Sequence, residues 1–219
     1  MKIFFSLLLC LIPLISYTAP GNWQTFTSAS EIRQISISDS TIWCATNGGV
    51  LKINSASHQV DKFTNTEGLA QIDIVAVAYD PRGYVWIALP DGLLQIYNLE
   101  TEEWDAYNEF QNRLVISSIL PHDDFVLIGS DIGVAELRLD SKDHWERTWK
   151  AEIGPVNEML IADNHIWVAQ NNGLRRIELD FINKQIPNAW QQFNMATGLP
   201  SNDVTALVSY DNSIAAGTV

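Results

Sequence analysis

The sequence predicts an all-β fold, a β-propeller of four-stranded antiparallel blades. Three observations carry that prediction: a recurring phrase, a near-constant period between its copies, and an almost complete lack of helical periodicity. The phrase is a hydrophobic run, with Trp at its second position in three of the four copies, that closes on a glycine. It reads Ile42-Trp43-Cys44-Ala45 to Gly49-Val50, Val85-Trp86-Ile87-Ala88 to Gly92-Leu93, Val126-Leu127-Ile128-Gly129 to Gly133-Val134, and Ile166-Trp167-Val168-Ala169 to Gly173-Leu174. Its second residues stand 43, 41 and 40 positions apart, within the roughly 40 to 50 residue period of propeller blades. Sandwiches and barrels also use short strands but do not predict a whole-unit repeat of this length. Folds of the βαβ type need the 3.6-residue pattern that is missing here.

Aligned on the phrase, the units run about 31–70, 71–113, 114–155 and 156–200, and a fifth runs 201–219. Val219 falls midway through the phrase. The reading is therefore four complete blades plus part of a fifth, a fragment of a larger propeller of about seven blades, where propellers use about four to eight. Each unit opens on an apolar strand: Ile35 to Ile37, Ile74 to Val77, Leu114 to Leu120, Val204 to Leu207. Near-continuous hydrophobicity predicts a channel-side strand buried on both faces. Turns at Asp39-Ser40, Asp80-Pro81-Arg82-Gly83, His122-Asp123-Asp124 and Asp163-Asn164 follow, since Asp, Asn, Pro and Gly suit tight reversals. The Trp strand comes next, where Trp43, Trp86 and Trp167 are expected to fill the gap between neighbouring blades. The closing glycines are expected to take positive φ.

The third strand alternates, as in Leu93-Leu94-Gln95-Ile96-Tyr97, the mark of a half-buried strand. The fourth carries an aromatic pair three residues apart, Trp104 with Tyr107 and Trp190 with Phe193. Weaker copies are Val60 with Phe63, and Trp145, Thr148 and Trp149. Trp23-Gln24-Thr25-Phe26 repeats this pattern ahead of the first unit, so residues 22–27 are expected to form the outer strand of the closing blade.

The N-terminus departs from the rest. Lys2 precedes an apolar run from Ile3 to Ile15 and then small and polar residues to Ala19. That order predicts a secretory signal over 1–19 and an extracytoplasmic protein, the run being too short for a confident span of about 20 residues. The chain carries a net charge of −13, a field that repels phosphate backbones and argues against nucleic acid as a partner. With Cys10 in the leader, Cys44 is left alone, in the slot held by Ile87, Ile128 and Val168, and is expected to be a buried apolar residue.

The run from Asp80 to Leu93 resembles the two-component regulator propeller repeat. In that family an aspartate turn and a glycine precede a hydrophobic-Trp-hydrophobic-small strand and a closing glycine. Gly198-Leu199-Pro200-Ser201-Asn202-Asp203-Val204 is similar to the family's link between blades, and Glu67-Gly68-Leu69-Ala70-Gln71 is a looser copy. Leu127 and Ala215 depart from the pattern at the Trp position. The resemblance implies either a PorZ-like N-terminal propeller of type IX secretion-associated proteins, which this layout resembles more closely, or the periplasmic sensor region of a hybrid two-component histidine kinase. The Gly-His and Trp-Asp marks of WD propellers are missing.

No nucleotide-binding, metalloprotease, nucleophile-elbow or EF-hand spacing is present. The expectation is a non-catalytic protein with no cofactor and no metal. His58, His122, His144 and His165 sit singly in turns or strand edges, and Asp140-Ser141-Lys142-Asp143 reads as a solvated turn. Propeller geometry directs attention to the loops joining second to third strands and fourth strands to the next blade, which open on one face. Asn47, Asp91, Asp131, Asn171 and Asn172 occupy the first kind and Arg113 the second. These six form the candidate ligand-binding set, suited to a polar small molecule, a glycan or a protein partner. A propeller enzyme acting on polysaccharide is the remaining alternative. In the fourth unit 17 positions separate Gly173 from Trp190, against 12 from Gly92 to Trp104. The segment from Asp180 to Pro187 is therefore expected to protrude on the opposite face as a partner contact.

Overall fold

A computed structural model describes residues 26–211 and 213–219. The leader expected at 1–19 lies outside them, as does most of the outer strand expected at 22–27. Phe26 and Thr27 are described and belong to no strand, with Phe26 exposed.

Four antiparallel four-stranded sheets and one two-stranded sheet follow one another along the chain. Blade 1 holds β1 (Ile32–Ser38), β2 (Thr41–Thr46), β3 (Gly49–Asn54) and β4 (Val60–Phe63). Blade 2 holds β5 (Ala76–Asp80), β6 (Tyr84–Ala88), β7 (Leu94–Asn98) and β8 (Trp104–Tyr107). Blade 3 holds β9 (Ile116–His122), β10 (Phe125–Ser130), β11 (Val134–Leu139) and β12 (Trp145–Ala151). Blade 4 holds β13 (Glu158–Ala162), β14 (His165–Gln170), β15 (Gly173–Glu178) and β16 (Gln191–Phe193). The fifth sheet pairs β17 (Val204–Tyr210) with β18 (Ser213–Thr218). The first strands approach one another in order, β1 to β5, β5 to β9, β9 to β13 and β13 to β17. They form the inner side of an arc.

Strand alternation assigns every core residue to one of two neighbours. Val77, Ile119, Met159 and Leu207 pair with Ile87, Ile128, Val168 and Ala216, and each packs against the Trp-position residue of the blade before it. Val77 shares a cluster with Trp43, Ile119 with Trp86, Met159 with Leu127, and Leu207 with Trp167. Trp43 and Trp86 are fully buried in these seams, while Trp167 is only half buried. Ile35 holds the same register position, opposite Cys44, yet is 54% exposed, and Ile37 is 62% exposed. The expectation of an inner strand buried on both faces therefore fails at β1, because among the described residues no blade covers that side. Val208, on the far face of β17, is 57% exposed for the same reason.

The aromatic pair obeys the same alternation, since residues three apart in a strand face opposite ways. Trp104 lies against Phe63 of blade 1 at 6.1 Å between ring centroids, while Tyr107 joins the seam with blade 3. Trp190 joins the seam with blade 3 and Phe193 the seam with β17. In blade 3 the two aromatics are four apart, which regular pairing would place on one face. A register shift between Glu136 and Leu137 leaves Thr148 as an extra residue, a β-bulge. It turns Trp145 onto Trp86, at 4.5 Å, and leaves Trp149 in the seam with blade 4.

The closing glycines are required. Gly133 has φ 151° and Gly173 φ 124°, and a Cβ on either would collide with the carbonyl of Ala151 or Phe193 at the end of the fourth strand. The two interblade links also match. Thr64 and Asn194 each cap a 3-10 turn in a reciprocal capping box, with Glu67 and Thr197 respectively. Gly68 and Gly198 then turn the chain at φ 108° and 110°.

Candidate functional site

The second-to-third-strand turns and the linkers into the next blade lie at one end of the arc, because hydrogen bonds tie them together. Asn112 N donates to Asp91 O at 2.6 Å, Asp131 N to Val115 O at 3.0 Å, Val156 N to Ser130 O at 2.9 Å, and Ile74 N to Thr46 O at 2.9 Å. This end collects all six sequence-predicted residues.

Four of the six have a common duty. Asn47 Oδ1 accepts from Glu31 N at 3.2 Å, Asp131 Oδ1 from Val115 N at 3.0 Å, and Asn171 Oδ1 from Asn157 Nδ2 at 2.7 Å. Asp91 Oδ2 accepts from Gln111 Nε2 at 2.8 Å, and its Oδ1 from Leu93 N at 3.2 Å. Each residue latches its turn to the segment leading into an inner strand: the start of its own blade for Asn47, Asp131 and Asn171, and, through Oδ2, the linker to the next for Asp91. The other two differ. Arg113 is exposed and its guanidinium has no partner among the described residues. Asn172 is exposed and offers only its backbone carbonyl, to Gln192 Nε2 at 3.0 Å, leaving its carboxamide unengaged.

Sequence reasoning missed the buried amides behind this face. Gln170, the neighbour of Asn171, ends β14 and is 1% exposed. Its Nε2 sits 3.0, 3.0 and 3.1 Å from the carbonyls of Ile153, Gly154 and Pro155, and its Oε1 accepts from Arg175 Nε at 3.0 Å. Gln95 does the equivalent work two seams earlier, donating to Gly68 O at 3.1 Å and accepting from Ala70 N at 2.7 Å. A buried amide must find such partners, and a glutamine inside an apolar strand was the available signal. Polar inner-strand side chains also stitch blade to blade: Gln34 Oε1 accepts from Val77 N, Ser36 Oγ from Tyr79 N, and Glu158 Oε2 from Leu207 N, at 2.7 to 3.0 Å.

The electrostatics are uneven. Of the seven arginines, Arg33, Arg82, Arg138 and Arg147 are paired with carboxylates. Arg113, Arg175 and Arg176 have no such pair among the described residues. Burial lowers the pKa of Arg175, half sunk behind Gln170. The Asp80 carboxylate is almost fully buried, pairing with Arg82 at 2.6 Å and accepting from Trp86 Nε1 at 3.0 Å, so this turn of the repeat is a structural clamp. Cys44 is buried, and desolvation pushes its thiol pKa up. Asp140 accepts from Lys142 N and His144 N in an exposed turn, and these bonds lower its pKa.

No protein-family model matches the chain, and no curated protein does. Solved structures do. PorZ, an essential surface component of the type IX secretion system of Porphyromonas gingivalis, superposes with a TM-score of 0.72 at 16% identity over 90% of this chain. The extracellular domain of the one component system BT4673 from B. thetaiotaomicron gives 0.69 at 16% identity over 90%. The chain is a run of β-propeller blades. It spans 27% of the length of each of those two chains. The computationally designed protein Ika8 matches at 0.60 and 14% identity, over 86% of this chain and 55% of its own. At these identities the likeness concerns fold.

Proposed function

We propose that this chain is a non-catalytic, extracytoplasmic propeller region that recognises a polar ligand or partner, within a secreted or surface protein of the PorZ-like type. The observation that carries the reading is the division of the six loop residues. Four are committed to holding one face in shape, and Arg113 and Asn172 stand on that face with their side-chain donors free. A rigid scaffold presenting a few unengaged polar groups is the usual build of a recognition surface. The leader-like N-terminus and the fold shared with PorZ and the BT4673 extracellular domain support the location. Among the described residues no helix is long and apolar enough to cross a membrane.

The BT4673 extracellular domain has also been described as that of a hybrid two component system, which favours a second reading, the periplasmic sensor region of a hybrid two-component histidine kinase. A membrane span and kinase motifs on the same polypeptide select it; a C-terminal secretion signal selects the first.

The full chain is to be tested on a glycan microarray with the double variant Arg113→Ala, Asn172→Ala beside it. A bound glycan should lose about tenfold in affinity, about 1.4 kcal/mol, while the thermal midpoint stays in place. Undiminished binding overturns the placement, and turnover of any glycan overturns the non-catalytic assignment.

A further inference from the structure

The insertion in blade 4 builds a pocket at the end of the arc opposite the loop face. Between β15 and β16 the chain makes a detour that is pinned from inside. Trp190 Nε1 donates to Lys184 O at 2.8 Å, the Lys184 ammonium lies over the Trp149 ring at 6.0 Å, and Pro187–Ala189 form a 3-10 turn. The outcome is a cavity of about 240 Å³ lined by His165, Arg176, Glu178, Phe181 and Gln191, with Ile177 and Ala189 completing its wall. Phe181 and Ala189 belong to the longer connection, so this wall depends on the residues by which blade 4 exceeds blades 2 and 3.

The polar groups are unevenly committed. The Arg176 guanidinium lies over two rings that stack on each other, 5.1 Å from the Trp167 centroid and 5.3 Å from that of Phe193, and its Nε donates to Gln191 Oε1 at 2.8 Å. Its two terminal nitrogens have no hydrogen bond or ion pair among the described residues. A guanidinium fixed by stacking has already lost the rotamer freedom that binding would otherwise cost. His165 Nδ1 is occupied by the Asp163 carbonyl at 2.6 Å, which leaves Nε2 without a partner among the described residues. Glu178 lies directly across the strand pair from His165 but forms no ion pair with His165 or Arg176. One carboxylate already on the wall disfavours a doubly charged guest.

We propose that this pocket binds a small monocarboxylate with an apolar body, its carboxylate on the terminal nitrogens of Arg176 and its body against Phe181, Ile177 and Ala189. Guanidinium and carboxylate match in a two-point fork, and the cavity equals about eight water volumes at about 30 Å³ each, room for one ring. The site is independent of the loop face at the other end.

Titration of the full chain with benzoate, followed by amide NMR shifts, tests the proposal, with benzamide as the uncharged twin. Benzoate should give saturable shifts at His165, Arg176 and Phe181 with a dissociation constant below about 10 mM. Benzamide should bind at least about tenfold more weakly, and Arg176→Gln should erase the difference between the two probes. His165→Gln, which leaves the ring-stacked arginine untouched, should weaken benzoate by about threefold or more. Equal titration by both probes, a preference that survives Arg176→Gln, or no saturable shift with either overturns the proposal. If Arg176→Gln does not fold, the preference in the parent chain and its weakening in His165→Gln decide the matter.

Discussion

Blades 1 and 2 carry the same pattern in different company. Ile35 and Val77 stand at one register position, each opposite the third residue of the Trp phrase, yet the first is 54% exposed and the second 1%. Val60 and Trp104 repeat the contrast on the outer strands, Val60 being exposed while Trp104 packs on Phe63. The difference teaches that the repeat encodes a face, and that burial of the face is conferred by the blade beside it. Stability in such an array is a sum of unit and neighbour terms, so the side chains in a seam matter and their register twins outside one do not.

Three pairs of substitutions probe this contrast. Trp86→Ala opens the seam between blades 2 and 3 and should cost about 3–5 kcal/mol, whereas Ile35→Ala should change stability by no more than about 0.5 kcal/mol. Urea unfolding of both variants checks the pair, and equal losses would break the comparison. Gly133→Ala should cost about 2–3 kcal/mol, since positive φ and the Ala151 carbonyl both oppose a Cβ. Gly83→Ala, at φ 96° with open space around it, should cost only about 1 kcal/mol. A similar loss at both glycines, read from thermal midpoints, would show that φ alone is responsible. Asp131→Ala, which frees Val115 N, should cost about 1 kcal/mol, against no measurable loss for Arg113→Ala. Equal midpoints for these two would remove the distinction between latching and free loop residues.

Much of the blade plan was legible because period and alternation are one-dimensional signals. The Trp phrase located β2, β6, β10 and β14, and its glycine marked where a carbonyl of the fourth strand or, at Gly92, of the linker after it passes too close for a side chain. The inner strands were harder. Ile74 and Leu114 are apolar enough to open a strand, yet β5 starts at Ala76 and β9 at Ile116, since Ile74 N donates to Thr46 O at the end of β2 of the preceding blade and Val115 N to the Asp131 side chain. The six loop residues were recognisable as polar and as neighbours, but their separation into latches and free groups depends on which backbone amide lies within 3 Å, and composition does not carry that. Gln170 is masked by the loop asparagines that follow it, and the three carbonyls that engage it come from the preceding linker. The pocket of Arg176 and His165 was invisible because it needs β14, β15 and the insertion at once, although the extra length of the insertion had marked the place.

The bulge at Thr148 turns strand length into a question of odd and even. Each step along a fourth strand transfers a side chain from one neighbouring blade to the other, so gaining or losing one residue exchanges the loyalties of everything beyond it. Thr148, whose hydroxyl is taken up by Glu136 at 2.7 Å, absorbs that exchange in blade 3. Length changes that preserve parity can pass without notice in such a chain, whereas a single-residue change must carry its own correction.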